Sequence, residues 1–255
     1  MPVPWFRVSV VLTLFGAPLP AAAQMFSTLT QDLMQTRMLL KPIEDLAGQS
    51  RARADERAAP PRSSNGPATT PSPAARRPPA RTATTYTVSL EVRRRARTQF
   101  VDWMKSTTPN LPPAAEAQLR AADFVGEWEK AVREDGLKSG DAADALGAYW
   151  LLNWMMANGR PGNTPAEAQS VRDQARSLLQ ANAQFAVLGD AQKQELAEIW
   201  MMNFLLQGNA YFDAVKRGDK AMAKKLGEAA TVRFRNEMGV ELQRLRLTPA
   251  GFTPG

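Results

Sequence analysis

Two stretches that leave a helix no polar side constrain this chain more than anything else in it. Residues 150–159 read WLLNWMMANG and residues 200–209 read WMMNFLLQGN, an offset of fifty that carries Trp150 onto Trp200 and Asn153 onto Asn203. Between Ala145 and Ala157 the strongly polar residue is Asn153, and between Ile199 and Leu206 it is Asn203. A helix that is apolar on nearly every side belongs in the middle of a bundle. Trp150, Trp154 and Trp200 therefore read first as core anchors, and second as the lining of a ligand pocket, because concave apolar sites use the same residue types. A buried amide needs partners. Asn153 and Asn203 are expected to pair with each other if an internal twofold relates the two helices.

Helix ends are marked along the rest of the chain. Ser89 is expected to cap a helix with the face Val92, Ala96, Phe100, Trp103 and Met104, stopped by Pro109, and its basic run Arg93 to Arg97 is expected mostly on the solvent side. Pro112 and Pro113 open the next helix, and Asp123 caps a further one carrying Phe124, Trp128 and Val132 up to Gly136. Asp141 precedes the first apolar run and Gly159 ends it. Thr164-Pro165-Ala166-Glu167 has the form of a capping box with proline at the first helical position. Asp190 is expected to cap the longest helix, reaching about Lys216, and Gly218-Asp219 to separate it from a last one that turns Met222, Leu226 and Ala230 inward and ends at Gly239. The tail, with Leu242, Leu245, Leu247 and Phe252, should pack back onto these helices. No strand set with period-two alternation appears after Thr84, so the fold class is all-α, one bundle of six or seven helices over residues 85–255.

What precedes residue 85 has a different character. Residues 1–23 place Arg7 before the apolar stretch Val8 to Phe15 and end in Ala21-Ala22-Ala23, the layout of a bacterial secretory signal peptide. An exported chain beginning near Gln24, periplasmic or secreted, is the expectation. Residues 24–47 contain a short amphipathic helix with Phe26, Leu29, Leu33 and Leu40 near one face, a candidate for docking on the main domain, on a partner or on a membrane surface. Residues 48–84 are rich in Pro, Ala, Arg, Ser and Thr and are expected to be a disordered linker, since they bury too little to offset the entropy of ordering. No later stretch approaches the roughly twenty consecutive apolar residues of a transmembrane helix.

The formal charge of +7 is unevenly placed. The linker carries seven arginines against Asp55 and Glu56, while residues 85–255 net only +2. Nucleic acid is therefore not expected as a partner, because the basic segment lacks the interleaved aromatics on which bases stack.

The chain has neither His nor Cys. That removes Ser-His-Asp and Cys-His catalysis, the usual zinc sites, His-ligated haem and every disulfide. A di-iron bundle needs Glu-x-x-His and is excluded with them. No cofactor or metal is expected, and an enzyme is the less favoured reading. Two carboxylate pairs remain: Asp141 with Asp144, and Glu195 with Glu198. Spacing of three puts each pair on neighbouring helix positions, where a cation or a proton-transfer role is conceivable, and in a first helical turn, where acidic residues favour the dipole. The candidate polar or pocket residues are thus Asp141, Asp144, Asn153, Trp154, Glu195, Glu198 and Asn203.

Four segments taken in order, VRRRARTQFVDWMKSTTP, DAADALGAYWLLNWMMANG, KQELAEIWMMNFLLQGNA and MGVELQRLRLTPAGF, resemble a family of exported bacterial proteins catalogued as domain of unknown function 6683. The resemblance covers about residues 86–253 and implies export and a common domain, with no activity or site. Two functions follow as expectations. The first is an exported, non-catalytic helical domain that binds an unknown envelope protein or ligand. The second is a glycan-cleaving envelope hydrolase drawing one or two carboxylates from Asp123, Asp141, Asp144, Glu195 and Glu198.

Overall fold

A computed structural model of the chain describes residues 83–108 and 111–255. The expected signal peptide, the helix of residues 24–47 and the linker up to residue 82 lie outside the described residues. The described residues form eight α-helices: α1 (Leu90–Thr107), α2 (Pro113–Ala121), α3 (Phe124–Val132), α4 (Ala142–Ala157), α5 (Pro165–Ala181), α6 (Ala183–Ala186), α7 (Asp190–Lys216) and α8 (Lys220–Met238). The all-α expectation holds, with the four-residue α6 as the addition to the six or seven helices expected.

The caps show why these segments begin and end where they do. Ser89, Asp123, Asp141 and Asp219 each accept a backbone N–H from the first turn of α1, α3, α4 and α8. Thr164 and Glu167 close the capping box of α5 reciprocally, Thr164 Oγ1 accepting from Glu167 N and Glu167 Oε2 from Thr164 N. Gly239 ends α8 in the left-handed region at φ 67°. Asp190 departs from its expected role. The cap position of α7 is Gly189, whose N–H is taken by Gln192 Oε1, and the Asp190 carboxylate instead accepts from Thr87 N on the segment leading into α1.

Helix α4 is the axis of the molecule. Every residue from Ala142 to Met156 is buried, and α5, α7 and α8 surround it. Helix α7 runs beside it, buried without a break from Ala197 to Gly208, and carries α1 and α3 on its outer side. The two apolar runs are thus neighbouring central helices. Two glycines permit the tightest approaches: a Cβ on Gly147 would stand 2.7 Å from the Cα of Arg172 in α5, and one on Gly227 of α8 would meet the carbonyl oxygen of Met156 in α4.

The tail packs back as expected, but as an antiparallel hairpin of β1 (Leu245–Thr248) and β2 (Gly251–Pro254), paired Leu247↔Phe252. The turn is closed by Thr248 Oγ1 and by Gly251 at φ 98°, where a glycine is required. Gln174 of α5 accepts from Phe252 N at 2.8 Å and donates to Phe252 O at 2.9 Å, so its amide continues the sheet by one main-chain-like partner. Four residues per strand, without a period-two run of any length, are too few to announce themselves in sequence.

Candidate functional site

The expected carboxylate pairs are each built into a joint between helices. Asp141 and Asp144 stand at the start of α4 as expected. Glu195 and Glu198 lie in the second and third turns of α7, which begins at Asp190, and not in its first turn. Asp141 accepts from Ala143 N through Oδ1 and from Arg176 Nη2 through Oδ2, at 2.9 Å each. Asp144 accepts from the same Arg176 nitrogen at 3.3 Å through Oδ1 and from Lys138 N at 2.9 Å through Oδ2. One guanidinium from α5 thus straps both carboxylates of the α4 N-terminus. Burial raises the Asp144 carboxyl above the usual carboxylate range, against the pull of the Lys138 N–H and of Arg172 and Arg176.

The second pair faces the basic run of α1. Arg93 Nε donates to Glu198 Oε1 at 3.1 Å and Arg95 Nε to Glu195 Oε1 at 2.7 Å, while Arg97 reaches the carbonyl of Ala122 at 3.0 Å. The run lies mostly towards solvent, as expected, with Arg94 and Arg95 exposed and Arg93 and Arg97 half-buried. Its odd-numbered members also tie α1 to α7 and to the junction between α2 and α3, since charge counting does not show which acidic side chains a neighbouring helix presents.

Further along, the two asparagines are not bonded to each other as expected. Each first returns to its own helix, Asn153 Nδ2 donating to Tyr149 O and Asn203 Nδ2 to Ile199 O. They are then joined through α8. Arg233 Nη1 donates to Asn153 Oδ1 at 2.9 Å and to Gln207 Oε1 at 2.8 Å, and Gln207 Nε2 donates to Asn203 Oδ1 at 3.4 Å. All four side chains are buried. This chain links α4, α7 and α8 at one level of the core, with its partners specified by donor and acceptor rather than by shape.

Trp154 is buried against the C-terminal hairpin. Its indole N–H donates to Leu245 O at 3.0 Å, its ring lies 5.7 Å from that of Phe252, and the Arg160 guanidinium sits 5.6 Å above it. The C-terminal hairpin covers this side chain. Asp123, the remaining carboxylate of the hydrolase alternative, is spent on the α3 cap.

Two groups escaped the sequence reading. Arg233 is one; its signal was its place three residues after Ala230 on the inward face of α8. Asp135 is the other, following Trp128 and Val132 at helical spacing in the 3₁₀ turn that prolongs α3. Its Oδ1 accepts from Asn163 Nδ2 at 2.8 Å and its carbonyl from Gln169 Nε2 at 3.2 Å, which pins that turn to the loop before α5 and to α5 itself. Burial, with a smaller contribution from Glu134, pushes the Asp135 carboxyl up to about 6, against the hydrogen bond from Asn163. A raised folded pKa means that the fold favours the protonated acid. The contribution to stability is complete below the unfolded value of about 4 and is lost as pH rises through 6. Asp135→Asn, which keeps the acceptor for Asn163, is expected to be more stable than the natural protein at pH 7 by about 2–3 kcal/mol, and equal to it near pH 4. Urea denaturation at the two pH values measures the difference.

Among the described residues no group of three or more acidic side chains is arranged to hold a metal ion, and no helix is long and apolar enough to cross a membrane. Over residues 6–253 the sequence matches a family described as a family of unknown function, DUF6683. No curated protein and no solved structure matches the chain.

Proposed function

The chain belongs to the DUF6683 family, and from that membership, which brings no activity with it, we propose that the helical domain is a non-catalytic interaction module of an exported bacterial protein held in the cell envelope. The observation that carries the proposal is the employment of the carboxylates. A hydrolase of the two-carboxylate type needs an acid and a base facing a substrate across roughly 5 to 10 Å of open cleft. Here Asp141 and Asp144 share Arg176, Glu195 and Glu198 hold Arg95 and Arg93, and Asp123 caps α3. Each bridge joins elements that the fold needs joined. Support for export rests on the signal-peptide pattern of residues 1–23, and support for a tethered arrangement on the Pro/Ala/Arg-rich sequence between that region and the domain.

The test uses the full chain expressed with its own N-terminus in a bacterial host. Mass spectrometry of the recovered protein should find an N-terminus at Gln24 in the envelope fraction. In-cell cross-linking should then trap a saturable protein adduct. Incubation of the purified protein with peptidoglycan should release no new reducing ends. Glycan cleavage that disappears in Asp144→Asn would overturn the interaction reading in favour of the hydrolase.

A further inference from the structure

The turn between α7 and α8 carries a charge that the domain as a whole does not. Residues 216–225 read KRGDKAMAKK, five basic side chains against the single acid Asp219, a net of +4. Residues 85–255 net only +2, so the rest of the domain is left at −2. Salt screens exposed charges beyond about 10 Å, so an approaching surface meets this local excess rather than the total.

The turn is fixed by its main chain. Gly218 takes the left-handed region at φ 72°, Gly218 N donates to Val215 O at 3.0 Å and Asp219 N to Ala214 O at 2.9 Å, which closes α7 where α8 begins. Asp219 gives its carboxylate to Met222 N as the α8 cap. The two acids at the margin are engaged as well, Asp213 with Arg217 at 2.8 Å and Glu228 with Lys224 at 3.6 Å. Among the described residues no carboxylate stands within ion-pair distance of Lys220 or Lys225. Residues 215–221 are exposed without a break, and so are Lys224 and Lys225. Interleaved with the cations are Val215, 40% exposed, Ala221 and the half-buried Met222.

Two features fit a membrane surface better than an acidic protein. Four of the five cations are lysines, hydrated point charges on flexible stems that meet a phosphate from any direction, whereas a shaped acidic site is matched by the planar fork of arginine. The one arginine, Arg217, is held by Asp213. The apolar side chains are the second feature, since a headgroup layer removes them from water and a soluble polyanion does not. No helix among the described residues is long and apolar enough to cross a membrane, so the contact is with its surface.

We infer that the α7–α8 turn is a docking surface for a bilayer containing anionic phospholipid, with Lys216, Lys220, Lys224 and Lys225 on lipid phosphates and Val215, Ala221 and Met222 at headgroup level. Helix α7 sets the orientation. Its first residue, Asp190, is bonded to Thr87 at the entry to the domain, and its last, Lys216, completes a helix of 27 residues, about 40 Å long. With the turn on the bilayer, the entry at Thr87 faces away from it. This goes beyond the interaction reading above and rests on it for the envelope that brings a membrane within reach.

The chain has no cysteine, so Ala221→Cys carries a single environment-sensitive fluorophore at the turn, and Ala191→Cys, exposed in the first turn of α7, carries it at the opposite pole. The full labelled chain is titrated with vesicles of phosphatidylglycerol and phosphatidylcholine in equal parts, and with phosphatidylcholine alone. The label at residue 221 should shift to the blue and escape quenching by acrylamide on the anionic vesicles only, and the label at residue 191 should do neither. The arginine-rich residues 48–84 join the domain at the pole of Ala191, so attraction through them does not cover residue 221. Raising the salt from about 0.05 M to about 0.5 M should reverse the change. Lys220→Gln, Lys224→Gln and Lys225→Gln together should raise the lipid needed for half the shift at least about tenfold, because each lysine near an anionic surface contributes several-fold. Circular dichroism checks the fold of that variant, and the salt reversal with the lysines intact decides the matter where it does not fold. No change at residue 221, an equal change at residue 191, or the same change on both kinds of vesicle overturns the surface. So does a label at residue 221 that anionic vesicles leave open to acrylamide and polyglutamate covers, which assigns the turn to an acidic protein. An N-terminus at Gln24 in the envelope fraction together with a silent label leaves the interaction reading standing and removes only this contact.

Discussion

Replacing Gly227 with alanine is expected to destabilise the domain by about 2–4 kcal/mol, because the new methyl group falls on the carbonyl oxygen of Met156. The sign has to be argued, since alanine is the better helix former by about 1 kcal/mol in a helix interior. At Gly227 the obstruction is backbone of α4, which is buried from Ala142 to Met156 and packed on three sides, and it has no rotamer to move out of the way. Helix α8 must therefore retreat from α4, which also stretches the Arg233 bonds to Asn153 and Gln207. Gly208→Ala is the matched comparison. A Cβ there meets the methyl groups of Leu152 at 3.5 and 3.7 Å, ordinary contact, so the helix-propensity term should prevail and the variant should be as stable as the natural protein or up to about 1 kcal/mol more stable. Denaturant midpoints of the pair decide the matter. A Gly227→Ala protein with an unchanged midpoint would mean that α8 does not lie against α4 as described.

Arg233→Met should cost about 2–6 kcal/mol, roughly 1–3 kcal/mol for each buried acceptor it strands. The methionine fills most of the volume, so the loss measures the two acceptors left behind, Asn153 Oδ1 and Gln207 Oε1, in a region from which water is excluded. The same reasoning makes a second substitution informative. Gln207→Leu frees Asn203 Oδ1 in either background, but beside Arg233→Met it also removes a stranded acceptor, so it should cost less there than alone, a double-mutant coupling of about 1–3 kcal/mol. Additive effects would show that Arg233 and Gln207 act independently. The network has a further consequence for specificity. Leucine, methionine and tryptophan on α4 and α7 tolerate small slips of one helix along another, whereas a guanidinium held by two amide oxygens on different helices does not.

Much of the fold was legible because helix signals are local. Ser89, Asp123, Asp141, Thr164, Asp219 and Gly239 each act within a few residues of their own position, and each does so in the structure. The two all-apolar runs announced central helices for the same reason, since a helix with no polar face has nowhere else to go. Asp190 was misassigned because the preference of aspartate for a cap competes with a contact to Thr87, 103 residues earlier in the chain. The hairpin was not legible because its strands are four residues each and their pairing is completed by Gln174 and Trp154, which lie in other elements.

The candidate residues divide along the same line. That Asp141 and Asp144 stand at a helix start is a property of the sequence; Glu195 and Glu198, expected in a first turn, lie deeper in α7 because that helix begins at Asp190. That Arg176 joins the first two, that Arg93 and Arg95 take the others, and that Lys193 and Gln194 bond the main chain of Ala83 and Ser89 are properties of the tertiary structure alone. The sequence by itself determined where helices begin and end, which two lie at the centre, and which catalytic chemistries lack their residues. Only the packed structure decided the partners of Asn153, Asn203, Arg233 and Asp135. A cap is satisfied by backbone three residues away, whereas a buried charge or amide is satisfied by whichever helix the core brings against it.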